Sequence, residues 1–120
     1  MLEIALLYAG AKFSIYQILG TKSDVLTVLG DLEQSNPGEH EKAIALLASV
    51  AQIGPPINSQ KSRKTSFDAL FELKPGGYRI PYFYHPSMSP VIVLTHMFKK
   101  CSPKEQNREL KYADKLRQQF

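Results

Sequence analysis

Apolar residues cluster in two short runs near the N-terminus. Residues 3–8 (EIALLY) and 13–18 (FSIYQI) are separated by a short linker at 9–12. Runs of this length that are rich in β-branched and aromatic side chains are typical of strands. They predict either a β-hairpin or a single bent strand that ends at Gly20.

The spacing of apolar residues then changes to three and four, the period of an amphipathic helix. A first helix is predicted to have Ser23 as its N-cap and to end near Gln34. A second is predicted to have Asn36 as its N-cap, Pro37 at the first helical position and Glu39 three residues after the cap. The apolar faces consist of Val25, Val28, Leu29 and Leu32 in the first helix and of Ala43, Leu46, Leu47, Val50 and Ile53 in the second. The two helices are predicted to form an α-hairpin that covers a sheet.

The second half of the chain is predicted to begin with a polar loop at 57–66 and to continue as three strands. The strands span 69–74, 78–84 and 91–98, and the turns between them are short enough for antiparallel hairpins. The last of them (VIVLTHMF) is almost wholly apolar, as expected of a central strand covered on both faces.

Side chains alternate between the two faces along the middle strand. Pro81 has no N–H for a ladder hydrogen bond, which favours an edge position or a bulge. One face carries Arg79, Pro81, Phe83 and His85, and the other carries Tyr78, Ile80, Tyr82 and Tyr84. Arg79 is thereby predicted to stand on a rigid platform.

A final helix is predicted from the capping box formed by Ser102 and Glu105, with Pro103 at the first helical position. Its apolar face consists of Leu110, Ala113, Leu116 and Phe120, and away from it lie Lys104, Arg108, Lys111, Tyr112 and Lys115. A basic helix is therefore expected beside the strand ends.

The charge is unevenly distributed, although the net charge is only +4. Residues 1–60 carry three basic and six acidic side chains, whereas residues 61–120 carry twelve basic and five acidic ones. The basic half is where a polyanion would bind, although a solvated lysine-rich surface has the same composition.

Length and composition predict a single domain, 1–120, with one core. No apolar run approaches the roughly 20 residues that a membrane span requires, so no membrane partner is expected. Glu3 stands where a signal peptide would be basic, and no signal peptide is expected. The single cysteine, Cys101, excludes an internal disulfide and fits a reducing, cytoplasmic compartment.

Three segments, in order, resemble the RelE/HigB superfamily of bacterial toxins: LFELKPGGYRI, VIVLTHMFKK and SPKEQNRELKYADKLRQQF. The chain is most similar to the phage-associated HigB-like branch, whose members read close to LFELR, GGYRI and IVLLHGFKKK before a terminal helix rich in Glu, Ala and Arg. The resemblance covers residues 36–120 well and the segment before them loosely. Two positions depart from the pattern, because Lys74 replaces the arginine of ELR and Cys101 replaces the third basic residue after Phe98.

The resemblance implies the toxin of a type II toxin–antitoxin module. Such a toxin is a metal-independent endoribonuclease, or mRNA interferase, that acts on ribosome-bound mRNA and is silenced by a small helix-turn-helix antitoxin. The implied fold is α+β: an antiparallel RelE-like sheet with an N-terminal α-hairpin packed on one face, a basic concave surface on the other, and a C-terminal helix. No cofactor is expected.

RNA cleavage without a metal uses the 2′-hydroxyl as nucleophile, so the protein has to help remove a proton, stabilise the phosphorane and protonate the 5′-oxygen. The resemblance assigns phosphate contact to Arg79 and Lys99, whose charges suit that role. His96 and Tyr112 are candidates for proton transfer, although His96 lies in an apolar strand and equally fits the core. The candidates for substrate binding are Lys61, Arg63, Lys64, Lys100, Lys104 and Arg108. The histidines and the cysteine have no metal-ligand spacing, so no metal is predicted.

Two other functions stay open. One is a ParE-like toxin of the same fold that inhibits DNA gyrase, and the other is a non-enzymatic nucleic-acid-binding domain. A histidine or tyrosine in one pocket with Arg79 and Lys99 favours the nuclease, whereas its absence from that pocket favours the inhibitor.

Overall fold

The N-terminal strands form a hairpin. In the computed structural model, which describes residues 2–56 and 60–120, strand β1 (Ile4–Ala9) pairs antiparallel with strand β2 (Ser14–Ile18). The register shifts between Leu6 and Tyr8, so a bulge interrupts β1 within the hairpin. Of the two arrangements expected here, the hairpin is confirmed.

Helix α1 (Val25–Ser35) begins one residue later than expected. Asp24 is the N-cap, because its side chain accepts a hydrogen bond from the backbone N–H of Thr27. The assignment of Ser23 as the cap was wrong. The Ser23 carbonyl instead accepts a hydrogen bond from Met97 N at 3.0 Å, which ties this turn to the sheet.

Helix α2 (Pro37–Ile53) begins as predicted. The Asn36 side chain accepts a hydrogen bond from Glu39 N, and Pro37 occupies the first turn. One position of its predicted apolar face was wrong: Ile53, the last residue of the helix, is 71% exposed. The α-hairpin itself is confirmed.

The rest of the chain adds five strands and a helix within the described residues. They are β3 (Ser62–Lys64), β4 (Phe71–Leu73), β5 (Tyr78–Tyr84), β6 (Val91–Leu94), β7 (Phe98–Lys99) and α3 (Pro103–Arg117). The strand order is β1-β2-β6-β5-β4-β3, and β7 pairs with β5. The predicted loop at 57–66 thus contains an edge strand, and its residues 57–59 lie outside the described part of the chain.

The expected fold was wrong in two respects. The sheet is mixed, because β2 pairs parallel with β6 while the other neighbouring strands pair antiparallel. Parallel neighbours require a long crossover, and α1, α2 and the strands β3 to β5 provide it. The α-hairpin is therefore not N-terminal: it follows the first two strands and connects them to the rest of the sheet.

Both faces of the sheet are covered by helices. Ile80 and Tyr82 pack with Leu94 and the buried side of α1 and α2, whereas Phe83 packs with Leu116 of α3 on the opposite face. The predicted alternation along β5 is thereby confirmed. The apolar side of α3 lies across the face on which the basic concave surface was expected.

The predicted strand 91–98 is divided into β6 and β7. Leu94 is the last residue of β6. The backbone N–H of Thr95 donates to the Pro81 carbonyl, and the Thr95 hydroxyl lies 3.1 Å from the same oxygen. Pro81 lies in a central strand and not at the predicted edge, but it is opposite the point where β6 ends. The missing N–H of Pro81 therefore coincides with the break.

The predicted strand 69–74 is shorter in the structure. Ala69 has φ 62°, in the left-handed region, so β4 cannot include it and begins at Phe71. Among the helices of the described ranges, none has the length and apolarity needed to cross a bilayer.

Candidate nucleic-acid interface

A groove with a cationic rim lies between the N-terminal half of α3 and the edge of the sheet. It has a volume of about 390 Å³. Its lining includes Arg63 from β3, Lys100 after β7, and Pro103, Gln106 and Asn107 from α3. We call this cavity the basic groove. It joins Arg63 and Lys100, which are distant in sequence and were both substrate-binding candidates.

A buried carboxylate anchors one wall of the basic groove. Glu72 is 0% exposed, and its Oε1 accepts a hydrogen bond from Arg63 Nε at 2.8 Å. Gln106 Nε2 of α3 lies 3.2 Å from Oε1 and 3.0 Å from Oε2 of the same carboxylate. A buried charge needs such partners. Glu72 therefore orients Arg63 and fixes α3 against the sheet at the same time.

Arg79 is held by backbone carbonyls. Its Nη1 donates to Tyr78 O at 2.7 Å and to Gly76 O at 3.1 Å, and the residue is 9% exposed. In the strand pairing it lies opposite Phe98 of β7. The guanidinium is thus preorganised near the end of β7, with little of its surface in solvent.

The pKa of Cys101, which lines the basic groove, reflects its burial and the charges around it. Burial raises the pKa of the Cys101 thiol, and the carboxylates of Glu105, Glu109 and Glu72 raise it further. The nearby Arg79 guanidinium acts in the opposite direction. Arg79 therefore acts on a lining residue of the basic groove without lining the groove itself, and each of the three carboxylates has a larger effect on that thiol.

The other predicted cations lie around the groove or away from it. Lys99, Lys104 and Arg108 are exposed, as is Lys64 on the edge strand. Lys61 lies elsewhere, in a separate cavity of about 520 Å³ that it lines together with Lys42 and Lys74 between α2 and the β4–β5 turn. The structure does not bring Lys61 together with Arg63 and Lys100.

His96 and Tyr112 belong to a buried cluster on another side of α3. His96 is 0% exposed, and its Nε2 lies 2.9 Å from Glu109 Oε1. Glu109 Oε2 also accepts a hydrogen bond from Lys22 Nζ at 2.8 Å. The Tyr112 ring packs edge-on against His96, and its hydroxyl accepts a hydrogen bond from Lys22 N. Neither His96 nor Tyr112 lines the basic groove.

Hydrogen bonding defines the tautomer of His96. Burial would raise the pKa of Glu109, but hydrogen bonds from Lys22 and His96 hold it below its ordinary value, so the carboxylate is ionised and can only accept. His96 Nε2 must then carry a proton. In the neutral ring Nδ1 accepts from the Thr95 hydroxyl, which lies 3.0 Å away. Protonation of Nδ1 would turn that hydroxyl to the Pro81 carbonyl, 3.1 Å from it.

Protonation of His96 is expected to destabilise the fold. Burial lowers the pKa of His96 below its ordinary value of 6.5, although the Glu109 carboxylate opposes the shift and Lys22 adds to it. Because the pKa of His96 is lower in the folded protein than in the unfolded protein, the unfolded state takes up the proton first as the pH falls. The stability contributed by the neutral, buried ring is therefore complete above pH 6.5 and is lost as the pH falls below it. Measured by denaturant unfolding, the free energy of unfolding should decrease as the pH falls through this range. It should depend less steeply on pH in His96→Gln.

Glu109→Gln provides a second readout of the same interaction. It removes the carboxylate that favours the protonated ring, so an NMR titration should show the His96 ring titrating at a lower pH than in the original protein. The assignment would be contradicted by two results together: a free energy of unfolding that depends on pH as steeply in His96→Gln as in the original protein, and a His96 ring that titrates at the same pH in Glu109→Gln as in the original protein.

Three side chains that position the candidate residues, two carboxylates and one amide, were not among the sequence-derived candidates. Glu72, Gln106 and Glu109 hold the candidate cations and histidine in place. A signal existed for Glu72, since an acid in the apolar run LFEL is unusual for a strand. In the described part of the chain, His, Cys, Asp and Glu side chains form no group of three or more that could hold a metal ion.

Comparison with known proteins gives a family. No curated protein matches the chain significantly. The family model described as "Phage derived protein Gp49-like (DUF891)" matches residues 30–118, from within α1 to just beyond α3, and so includes the strands that form the basic groove. The chain therefore belongs to the phage-derived Gp49-like family, a toxin-type family of the RelE/HigB superfamily.

Proposed function

We propose that this protein is the HigB-like toxin of a toxin–antitoxin module and that it cleaves single-stranded RNA in the basic groove. The basic groove carries the proposal, because it brings Arg63 and Lys100 into one cavity beside exposed Lys99. Its size and charge suit a phosphate with its ribose. The toxin-type family supports the same function.

The proposed reaction is an internal transfer at phosphorus. The 2′-oxygen of the substrate forms a bond to the adjacent phosphorus and passes its proton to a solvent water molecule, while the bond from phosphorus to the 5′-oxygen breaks and that oxygen takes up a proton from Lys100. The products are a 2′,3′-cyclic phosphate and a 5′-hydroxyl. Negative charge grows on the non-bridging oxygens, so preorganised cations lower the barrier.

Each cation has a distinct part in this proposal. Arg63 donates its Nε–H to Glu72, so it binds phosphate with its remaining guanidinium N–H groups. Lys100 neutralises the developing charge and donates the proton to the 5′-oxygen. Arg79 and Lys99 add positive potential at the end of β7, and Lys64, Lys104 and Arg108 steer the flanking phosphates.

His96 and Tyr112 are positioning residues in this proposal. His96 has no solvent-accessible surface, and through Glu109 it holds the N-terminal half of α3, which forms one wall of the basic groove. The proposed cellular setting is the cytoplasm, where ribosome-bound mRNA is the substrate and a cognate antitoxin covers the groove.

Gyrase inhibition is the second candidate, and one observation favours it. Neither His96 nor Tyr112 lines the basic groove, and a nuclease that transfers protons through a histidine or tyrosine would place one there. Inhibition of supercoiling by purified gyrase, with no loss of RNA, would support this candidate over the first.

RNA binding is expected to weaken steeply with salt. For single strands, each neutralised phosphate contributes about 0.7 to the slope of log affinity against log salt concentration. For binding of a labelled oligoribonucleotide, Lys100→Ala should reduce the slope of log affinity against log salt concentration by about 0.7. Lys12→Ala is the matched control, since Lys12 is exposed in the turn between β1 and β2 and belongs neither to the lining of the basic groove nor to α3. A slope near zero, or equal losses in both variants, would exclude the basic groove as the RNA site.

A further inference from the structure

A second cavity, rich in aromatic rings, opens at the other end of α3. It has a volume of about 730 Å³, and its lining includes Phe71, Phe83, Tyr84, Arg117, Gln118 and Phe120. The Phe83 and Phe120 rings lie 5.2 Å apart, and Phe71 meets Tyr84 edge-on at 5.6 Å. We call it the aromatic cavity.

The aromatic cavity and the basic groove lie along the same edge of α3. Gln106 and Asn107 line the groove, and Arg117 and Gln118 line the aromatic cavity. Each pair is separated by eleven residues, which is three helical turns and about 16 Å along the helix axis. Residues three turns apart fall on one edge, so an extended strand lying beside α3 can reach both cavities.

Polar groups at the aromatic cavity are held in fixed orientations. Asp114 is 9% exposed, and its Oδ1 accepts from Arg117 Nε at 2.9 Å while its Oδ2 accepts from Gln118 Nε2 at 2.8 Å. The remaining guanidinium N–H groups and the Gln118 carbonyl oxygen are then the polar groups offered to a ligand. Aromatic rings with a guanidinium and an amide are the groups that recognise an unstacked nucleobase.

The backbone keeps this end of the sheet open. β4 pairs with β5 only from Phe71 to Leu73, so β5 continues past Tyr82 without a partner from β4. Ala69, on the rim of the cavity, holds a left-handed φ of 62° that turns the chain away before β4 begins. A strained non-glycine residue beside a cavity is typical of a functional site.

We propose that the aromatic cavity binds one nucleobase of a single-stranded RNA whose phosphates lie in the basic groove. This inference rests on the proposed function and adds a specificity subsite to it. Stacking on aromatic rings is possible for any base, and the fixed donors of Arg117 and the acceptor of Gln118 select among base edges. The aromatic cavity and the basic groove lie along one edge of α3, which favours RNA as the ligand over an apolar peptide, because an apolar peptide needs no neighbouring phosphate site.

The test compares intact and abasic oligoribonucleotides. An abasic residue is placed at each successive position of a short labelled strand, and affinity is measured by fluorescence anisotropy at fixed salt. One position should lose affinity by about tenfold, the effect of one base stacking on an aromatic ring. Tyr84→Leu and Phe120→Leu should lose a similar factor for the intact strand and nothing further for the strand that is abasic at this position.

Matched variants separate the possible outcomes. Tyr8→Leu removes an exposed tyrosine from another cavity and should bind as the original protein does. Equal affinities for intact and abasic strands, or unchanged affinity in both leucine variants, would overturn the inference. If Lys100→Ala still weakens binding in that case, the proposed function stands without the subsite. If the original protein binds no RNA, the proposed function fails and the inference fails with it.

Discussion

Lys100→Ala is expected to abolish growth arrest on induced expression and to slow RNA cleavage about 100-fold, the effect of removing one preorganised group that stabilises transition-state charge. Lys100 lies on the basic groove, and its side chain is exposed. Its structural contact is the hydrogen bond from its backbone N to Gly77 O at 2.8 Å, which alanine retains. The loss should therefore appear without a change in the thermal unfolding midpoint.

Lys12→Ala again controls for the change in net charge. Lys12 is exposed and lies away from α3, so a general effect of positive charge on expression or RNA attraction would appear in both variants. Full toxicity of Lys100→Ala, at the same protein level as the original, would remove the basic groove from the mechanism.

Arg63→Met is expected to lower the free energy of unfolding by about 3 kcal/mol, the lower end for breaking a buried ion pair from one side. Methionine keeps most of the apolar stem but leaves Glu72 with the Gln106 amide and without the 2.8 Å contact to Arg63. The cost is at the lower end because the Arg63 side chain is 35% exposed. Urea unfolding followed by circular dichroism measures it, and Lys64→Ala on the same strand is the control.

The double variant Arg63→Met with Glu72→Gln should recover most of the lost stability. It removes the unpaired buried charge and keeps an amide that can bond to Gln106. Losses that simply add in the double variant would show that the pair is not coupled. The same double variant should remain inactive on RNA, because the phosphate-binding guanidinium is absent.

Local signals in the sequence were sufficient for most of the secondary structure. The caps at Asn36 and Ser102 were predicted from side chains that bond to nearby backbone N–H groups, and both are present. The alternation along β5 correctly separated Ile80 from Phe83. These features depend on residues within a few positions of one another.

Strand pairing and layering could not be obtained in the same way. The parallel pairing of Ser14 with Val91 joins segments far apart in the chain, and no local pattern encodes it. The apolar strand 91–98 correctly indicated burial on both faces, and the resemblance implied a basic concave surface on one of them. The apolar residues of α3, including Leu110 and Leu116, have to cover some surface, and they cover that face.

The candidate site shows the same division. Charge and resemblance placed Arg63 and Lys100 among six substrate-binding candidates but could not choose Arg63 over Lys61 or Lys64. The structure brings Arg63 and Lys100 into one groove. The fixed position of Arg63 depends on Glu72, and that of His96 depends on Glu109. Such pairs are set by the tertiary fold, so the sequence alone could not distinguish a core histidine from a catalytic one.

Mapping RNA 5′ ends after induced expression shows whether the basic groove cleaves RNA. The mapping should be done in cells and with purified RNA, with and without ribosomes, and always beside Lys100→Ala. New 5′-hydroxyl ends are expected in coding regions, paired with 2′,3′-cyclic phosphates, and they should disappear in Lys100→Ala. Growth arrest without any new RNA ends would contradict cleavage by the basic groove.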